Sequence, residues 1–217
     1  MGQKWFISFE KNRTSSTVYK MNTDNKVRCP WCEKSEIERN YHDTEWGVPL
    51  HDDDKLFEFV IMDGFQAGLS WKIVLQKREN FRKALFGFDA RVLAQCGNSI
   101  VEEWMQDAGL VRNRLKLEGV LKNAKAFLAV QKEFGSFDRY IWSFVDGKPV
   151  FNERQFQNEI QSVNAEAMAM SKDMKKRGFT FCGPTICYAF MQAAGMIVDH
   201  ITSCYRYKEI REMPTTS

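Results

Sequence analysis

The stretch Asp52-Asp53-Asp54-Lys55-Leu56-Phe57-Glu58-Phe59-Val60-Ile61-Met62-Asp63-Gly64-Phe65 decides how the chain is read. Its apolar positions Leu56, Phe57, Val60, Ile61, Gly64 and Phe65 recur at intervals of three and four, the spacing of one helix face, and the acidic run stands at the positive end of the helix dipole. The same periodicity predicts a second helix over 70–85, with Ile73, Val74, Lys77, Phe81 and Leu85 on one face. Further helices are predicted over 99–107, 112–134, 136–144, 165–177 and 184–196. Few stretches alternate with the two-residue period of a strand, so the predicted fold class is all-α. There is no internal repeat, no heptad series and no long linker. Residues 147–164 are the most irregular segment and are expected to form a surface loop.

Around this helical body, residues 1–26 are polar and without sustained periodicity, which marks an N-terminal extension. The expected domain covers 27–207, with a tail over 208–217. At 217 residues and 44% hydrophobic, the chain is long enough for one well-filled domain. Lys plus Arg (31) exceeds Asp plus Glu (28) by only three, which excludes polycation character but permits a local basic face. The N-terminus has no apolar run of signal-peptide length, and nowhere do about 18 uncharged apolar residues follow one another, so no membrane association is expected. Phe6 stands where a myristoylation signal needs Ser or Thr. The six cysteines are not needed as staples in a domain of this size, which points to a reducing, cytoplasmic location.

Two of the three histidines stand close to cysteines: Cys29-x12-His42 near one end and His200-x3-Cys204 near the other. Two Cys and two His make a closed tetrahedral donor set suited to Zn²⁺. If His200 and Cys204 share a helix, a spacing of four puts them on one face. Cys32, in Cys29-Pro30-Trp31-Cys32, is a rival ligand, and buried thiols beside surface histidines are the plain alternative. A thioredoxin-like reading of this CxxC lacks the strand–helix alternation it needs.

Several strings then occur in a distinctive order: Tyr41-His42-Asp43-Thr44-Glu45-Trp46-Gly47-Val48-Pro49, Gln66-Ala67-Gly68-Leu69-Ser70-Trp71, Lys77-Arg78-Glu79-Asn80-Phe81 and Gln106-Asp107-Ala108-Gly109. Trp142-Ser143-Phe144-Val145 and Lys175-Lys176-Arg177-Gly178-Phe179, with Gly183-Pro184-Thr185-Ile186-Cys187-Tyr188, follow. Together, from about Arg28 to Tyr205, they resemble the 3-methyladenine DNA glycosylase I family. The resemblance implies a helix-hairpin-helix DNA glycosylase fold whose chain ends are joined by one structural zinc ion on Cys29, His42, His200 and Cys204. It implies a monomeric repair enzyme that hydrolyses the N-glycosidic bond of N3-methyladenine in double-stranded DNA and releases free 3-methyladenine.

By position, the resemblance makes Tyr41, Trp46 and Trp71 walls of a base pocket, although large aromatics at helical spacing are usually core. Asp63 falls where the family has a base-recognising Glu, one methylene short, and is the expected catalytic and base-binding acid; a solvated polar face is the alternative. Glu38 falls where the family has a Tyr bordering the pocket, so an acid is expected there. Gly68-Leu69 matches the turn that fills the gap left by a flipped base. Gly109, Arg112, Arg114 and Lys116 match the hairpin that grips DNA phosphates, whereas the run Lys172, Lys175, Lys176 and Arg177 reads as a solvated helix face. Two other functions fit the same residues: a reader of damaged or modified nucleobases that does not release them, and a zinc-stabilised interaction protein without a pocket.

Overall fold

A computed structural model describes residues 24–214. In chain order the helices are α1 (Glu36–Thr44), α2 (Asp53–Gln66), α3 (Trp71–Ala84), α4 (Ala90–Gln95), α5 (Ser99–Gln106), α6 (Arg114–Phe134), α7 (Phe137–Trp142), α8 (Ala165–Lys176), α9 (Pro184–Ala193) and α10 (Tyr205–Arg211). Two short strands, β1 (Val150–Phe151) and β2 (Ile197–Val198), pair in parallel and are a small exception to the all-α expectation. Most helix starts are written in the sequence. The side chains of Ser35, Asp52, Ser70, Asp89, Asn113, Ser136 and Asn164 each accept a hydrogen bond from a first-turn N–H of the helix that follows.

The helix α2 is not the one-sided element that its periodicity suggests. Every residue from Leu56 to Phe65 is buried, because α3, α6, α7 and α9 pack around it. Phe57 meets Phe127 at 4.8 Å between ring centroids, and Phe65 stacks on Phe81 at 4.6 Å. A helix enclosed on all sides must account for each of its polar groups. Asp53, in its first turn, accepts from the N–H groups of Phe137 and Asp138, both at 2.8 Å, and from Gln131 Nε2 at 2.6 Å. One carboxylate thereby fastens the start of α2 to α6 and caps α7.

Several expectations are corrected. The short α1, with its sequence Glu-Ile-Glu-Arg-Asn-Tyr-His-Asp-Thr, and the short α4 and α10 carry too few apolar positions for periodicity to find. Ile73, expected on the buried face of α3, is 38% exposed. The boundary expected at 207 falls inside α10, whose Ile210 is buried, so the expected tail is folded as far as Arg211. Almost all of the N-terminal extension lies outside the described residues. His200 and Cys204 share no helix: Cys204 caps α10, and a turn closed by Cys204 N–H to Ile201 O (2.8 Å) brings the two together. The segment 147–164 is not merely a surface loop, since it carries β1 and a 3-10 turn at Gln157–Glu159.

Asp53→Ala orphans the two first-turn N–H groups of α7 and is expected to destabilise the protein by about 1–3 kcal/mol. A urea midpoint lowered without a change in slope is the outcome that checks it.

Candidate base pocket and metal centre

Cys29, His42, His200 and Cys204 are all fully buried, and one donor atom from each lies within 4.8 Å of the others. Cys29 Sγ is 3.6 Å from His200 Nδ1, while Cys204 Sγ is 3.6 Å from the same nitrogen and 3.4 Å from His42 Nε2. Zinc bond lengths of about 2.3 Å to sulfur and about 2.0–2.1 Å to nitrogen, at a tetrahedral angle, require an S···N separation of about 3.6 Å, so the donors fit a tetrahedral metal. The remaining ring nitrogens are held as metal-ligating imidazoles need: His42 Nδ1 lies 2.8 Å from Asp43 Oδ1 and His200 Nε2 lies 2.9 Å from Trp46 O. Cys32 stands apart, its thiol donating to Cys29 O at 3.1 Å.

This cluster packs against two wall residues of a cavity, His42 lying 5.6 Å from Trp31 and His200 4.5 Å from Trp46 between ring centroids. Gly47, at φ +80°, lets the chain pass so close to His200 that a Cβ would sit 2.8 Å from Nε2. Trp46, beside it, turns into a cavity of about 220 Å³ together with Trp31, Tyr41 and Trp71. Trp31 and Trp46 meet edge to face at 5.1 Å, and Tyr41 and Trp71 lie 5.1 Å apart. Asp63 and Gln66 enter from α2, Ala189 and Gln192 from α9, and Gln157 and Ile160 from the segment before α8. A larger groove of about 650 Å³ lies on the other side of Tyr41 and includes Glu45, Glu58, Arg78 and Arg82. Those charges satisfy one another, with Arg78 Nε 2.5 Å from Glu58 Oε1 and Arg82 Nη2 2.9 Å from it, whereas the polar atoms of the smaller cavity do not.

Asp63 is 2% exposed, and its Oδ2 has no hydrogen-bond partner among the described residues. Burial alone pushes its carboxyl well above the usual carboxylate range. The indole N–H groups of Trp31 and Trp71 and the Oε1 of Gln157 are also buried without partners, and all of these atoms belong to residues lining the one cavity. Aromatic walls carrying convergent, unsatisfied donors and acceptors are what a flat, polar-edged ligand requires.

The structure thus gathers Tyr41, Trp46, Asp63 and Trp71 as expected from the resemblance, but not Glu38. That carboxylate is turned to the start of α1, where Ser35 Oγ donates to Glu38 Oε2 at 2.6 Å, and it does not line the cavity. Lys116 is corrected as well: it is 7% exposed, and its Nζ donates to Phe65 O at 2.8 Å and to Ala67 O at 2.5 Å, closing the end of α2 from within. It faces no solvent that DNA could occupy. In the hairpin, the Gly109 N–H is already taken by Asp107 Oδ1 at 2.7 Å, and Lys77 Nζ holds the carbonyls of Ala108 and Gly109 at 3.0 Å each. Arg114 is exposed but paired with Glu102 at 2.8 Å, while Arg112 is exposed and forms no ion pair among the described residues. Gly68, at φ +78°, turns the chain between α2 and α3, and Leu69 beside it is half-buried. Sequence reasoning missed Trp31, which was visible only as the middle of a CxxC, and Gln157, for which there was no signal.

Because the Asp63 carboxyl is raised in the folded protein, the folded state holds its proton over a pH range where the unfolded chain has lost it. Stability is therefore lost as pH rises from the ordinary value near 3.8 towards the raised one. Asp63→Asn removes this loss, so its stability advantage over the wild type should grow with pH across that window. Melting temperatures measured from pH 4 upward check the trend; a constant or shrinking difference would show that the acid is not buried uncompensated.

A family model described as Methyladenine glycosylase matches residues 31–207. DNA-3-methyladenine glycosylase of Haemophilus influenzae is 46% identical over 178 residues, which are 82% of this chain and 96% of that protein. A crystal structure of 3-methyladenine DNA glycosylase I matches with a TM-score of 0.81 at 44% identity, over 82% of this chain and 98% of the other. A structure describing 3-methyladenine recognition by the Staphylococcus aureus enzyme matches with a TM-score of 0.80 at 33% identity, over 82% and 95% of the two chains. The sequence and the fold thus agree, and this chain belongs to the methyladenine glycosylase family.

Proposed function

We propose that this protein is a DNA-3-methyladenine glycosylase, which hydrolyses the N-glycosidic bond of N3-methyladenine in double-stranded DNA and releases free 3-methyladenine. The observation that carries the reading is Asp63, a buried acid without a partner in an aromatic-walled cavity of a chain whose relatives bear that activity. A base within a duplex must be extruded at a cost of a few kcal/mol, and stacking on aromatic faces returns about 1–3 kcal/mol per base. Tyr41, Trp46, Trp71 and Trp31 supply such faces.

Alkylation at N3 makes the adenine cationic and the base a good leaving group, so little acid catalysis is needed. The pocket's task is recognition and electrostatic stabilisation. Burial of Asp63 favours its neutral form in the empty cavity; a cationic base reverses that balance, since opposite charges attract strongly once water is excluded. The carboxylate then takes up the base edge and stabilises the positive charge where the bond breaks.

The helix pair α5 and α6, with its turn at 107–113, serves as the helix-hairpin-helix that holds the DNA backbone. Arg112 is its available cation, and Arg114 joins after leaving Glu102. A zinc ion held by Cys29, His42, His200 and Cys204 is structural, because four protein ligands leave no position for an activated water. No described helix is long and apolar enough to cross a membrane, and all six cysteines are free.

Wild-type protein should release 3-methyladenine from alkylated duplex DNA in a single turnover, and Asp63→Asn should slow that step at least about tenfold while remaining folded. Equal rates would remove Asp63 from the site, and no release by wild type would overturn the activity. Metal analysis of protein purified without chelator should give one zinc per chain, lost in Cys29→Ser and kept in Cys32→Ser.

A further inference from the structure

The chain between β1 and α8 is irregular, yet its backbone is firmly held. The Asn152 N–H donates to Val198 O at 3.1 Å, Asn152 Nδ2 to Asp199 Oδ1 at 2.8 Å, and the Thr202 N–H to Arg154 O at 2.8 Å. The Glu159 carboxylate accepts from the N–H groups of Gln155 and Phe156 at 2.6 and 3.1 Å, which fixes the 3-10 turn. Phe156 and Asn158 point outward and are exposed, whereas Gln157 turns inward to line the same cavity as Asp63. Its Oε1 is buried and has no partner among the described residues.

A buried carboxamide oxygen is ordinarily hydrogen-bonded, and one left open inside a ligand-sized cavity, on an anchored turn, is poised for a donor on the ligand. We infer that Gln157 is a specificity-determining residue, whose Oε1 accepts a hydrogen bond from the exocyclic amine of the extruded base. The inference rests on the glycosylase reading above. The amine of N3-methyladenine carries two N–H donors, and the cavity offers two buried, unpartnered acceptors, Asp63 Oδ2 and Gln157 Oε1. Asp63 is a short acid that approaches from α2; Gln157 has a longer side chain and approaches from a separate element. Glu38, which the resemblance puts at the border of the pocket, is occupied by Ser35 instead. A purine bearing hydrogen in place of the amine gives Gln157 nothing to bind.

The test is the affinity of wild type and Gln157→Met for free 3-methyladenine and for 3-methylpurine, which lacks the exocyclic amine, read from the fluorescence of the cavity tryptophans. Methionine preserves length and removes the acceptor, and melting temperature reports whether the fold is kept. Gln157→Met should weaken 3-methyladenine binding about tenfold and leave 3-methylpurine binding unchanged, so that the preference for the amine shrinks. An equal loss for both ligands, or no loss for either, would overturn the role of Gln157 and leave the glycosylase reading standing. Failure of wild type to bind 3-methyladenine at all would instead overturn that reading, and this inference with it.

Discussion

The meeting of Cys29 and His42 with His200 and Cys204, from opposite ends of the described residues, is the constraint on which the candidate base pocket depends. Residues 171 positions apart in sequence meet there, and each histidine is oriented by its second nitrogen. From His42 the linkage runs through Asp43 to Arg28, whose Nε lies 2.9 Å from both carboxylate oxygens, and so to the first described residues. From His200 it runs to the carbonyl of Trp46, and the neighbouring Asp199 accepts from Tyr188 at 2.6 Å and from Gln192 at 2.7 Å. Trp31 and Tyr41 thus adjoin the N-terminal half of the cluster in sequence, Trp46 is held by His200, and Gln192 by a residue next to it. The wall and the staple are one construction.

Two acids on α2 show what the fold can and cannot neutralise. Glu58 is buried but lies against the guanidinium groups of Arg78 and Arg82, so its charge is matched. Asp63, little more than a turn further on, forms no ion pair and its Oδ2 meets no donor among the described residues. An unpaired buried acid is destabilising, and proteins retain such strain chiefly where a ligand relieves it. The polar atoms of Trp31, Trp71 and Gln157 around it repeat the pattern at the level of neutral groups.

The periodic helices were legible because each buries an apolar stripe, and their caps Asp52, Ser70, Asn113, Ser136 and Asn164 stand where the sequence puts a polar residue before the stripe. Helix α1 was not, since its buried residues are Glu38, Tyr41 and His42 rather than an apolar stripe. At the site, the donor set could be chosen by chemistry, and the resemblance supplied the aromatic walls that the structure brings together. Lys116 misled for a physical reason: a lysine in a basic cluster looks solvent-facing, and only the fold reveals the open carbonyls of Phe65 and Ala67 that draw it inward. Gln157 was illegible because it lies in a segment with no periodicity, and its position is set by strand pairing and by Asp199, both long-range.

If the four-donor cluster organises the pocket, base binding must depend on the zinc proposed for it. Zinc-loaded and metal-stripped protein can be compared for 3-methyladenine affinity by tryptophan fluorescence, with far-ultraviolet circular dichroism recorded on the same samples. The account predicts that stripping abolishes base binding while most of the helical signal remains, and that zinc restores it. Undiminished affinity in the stripped protein would contradict it.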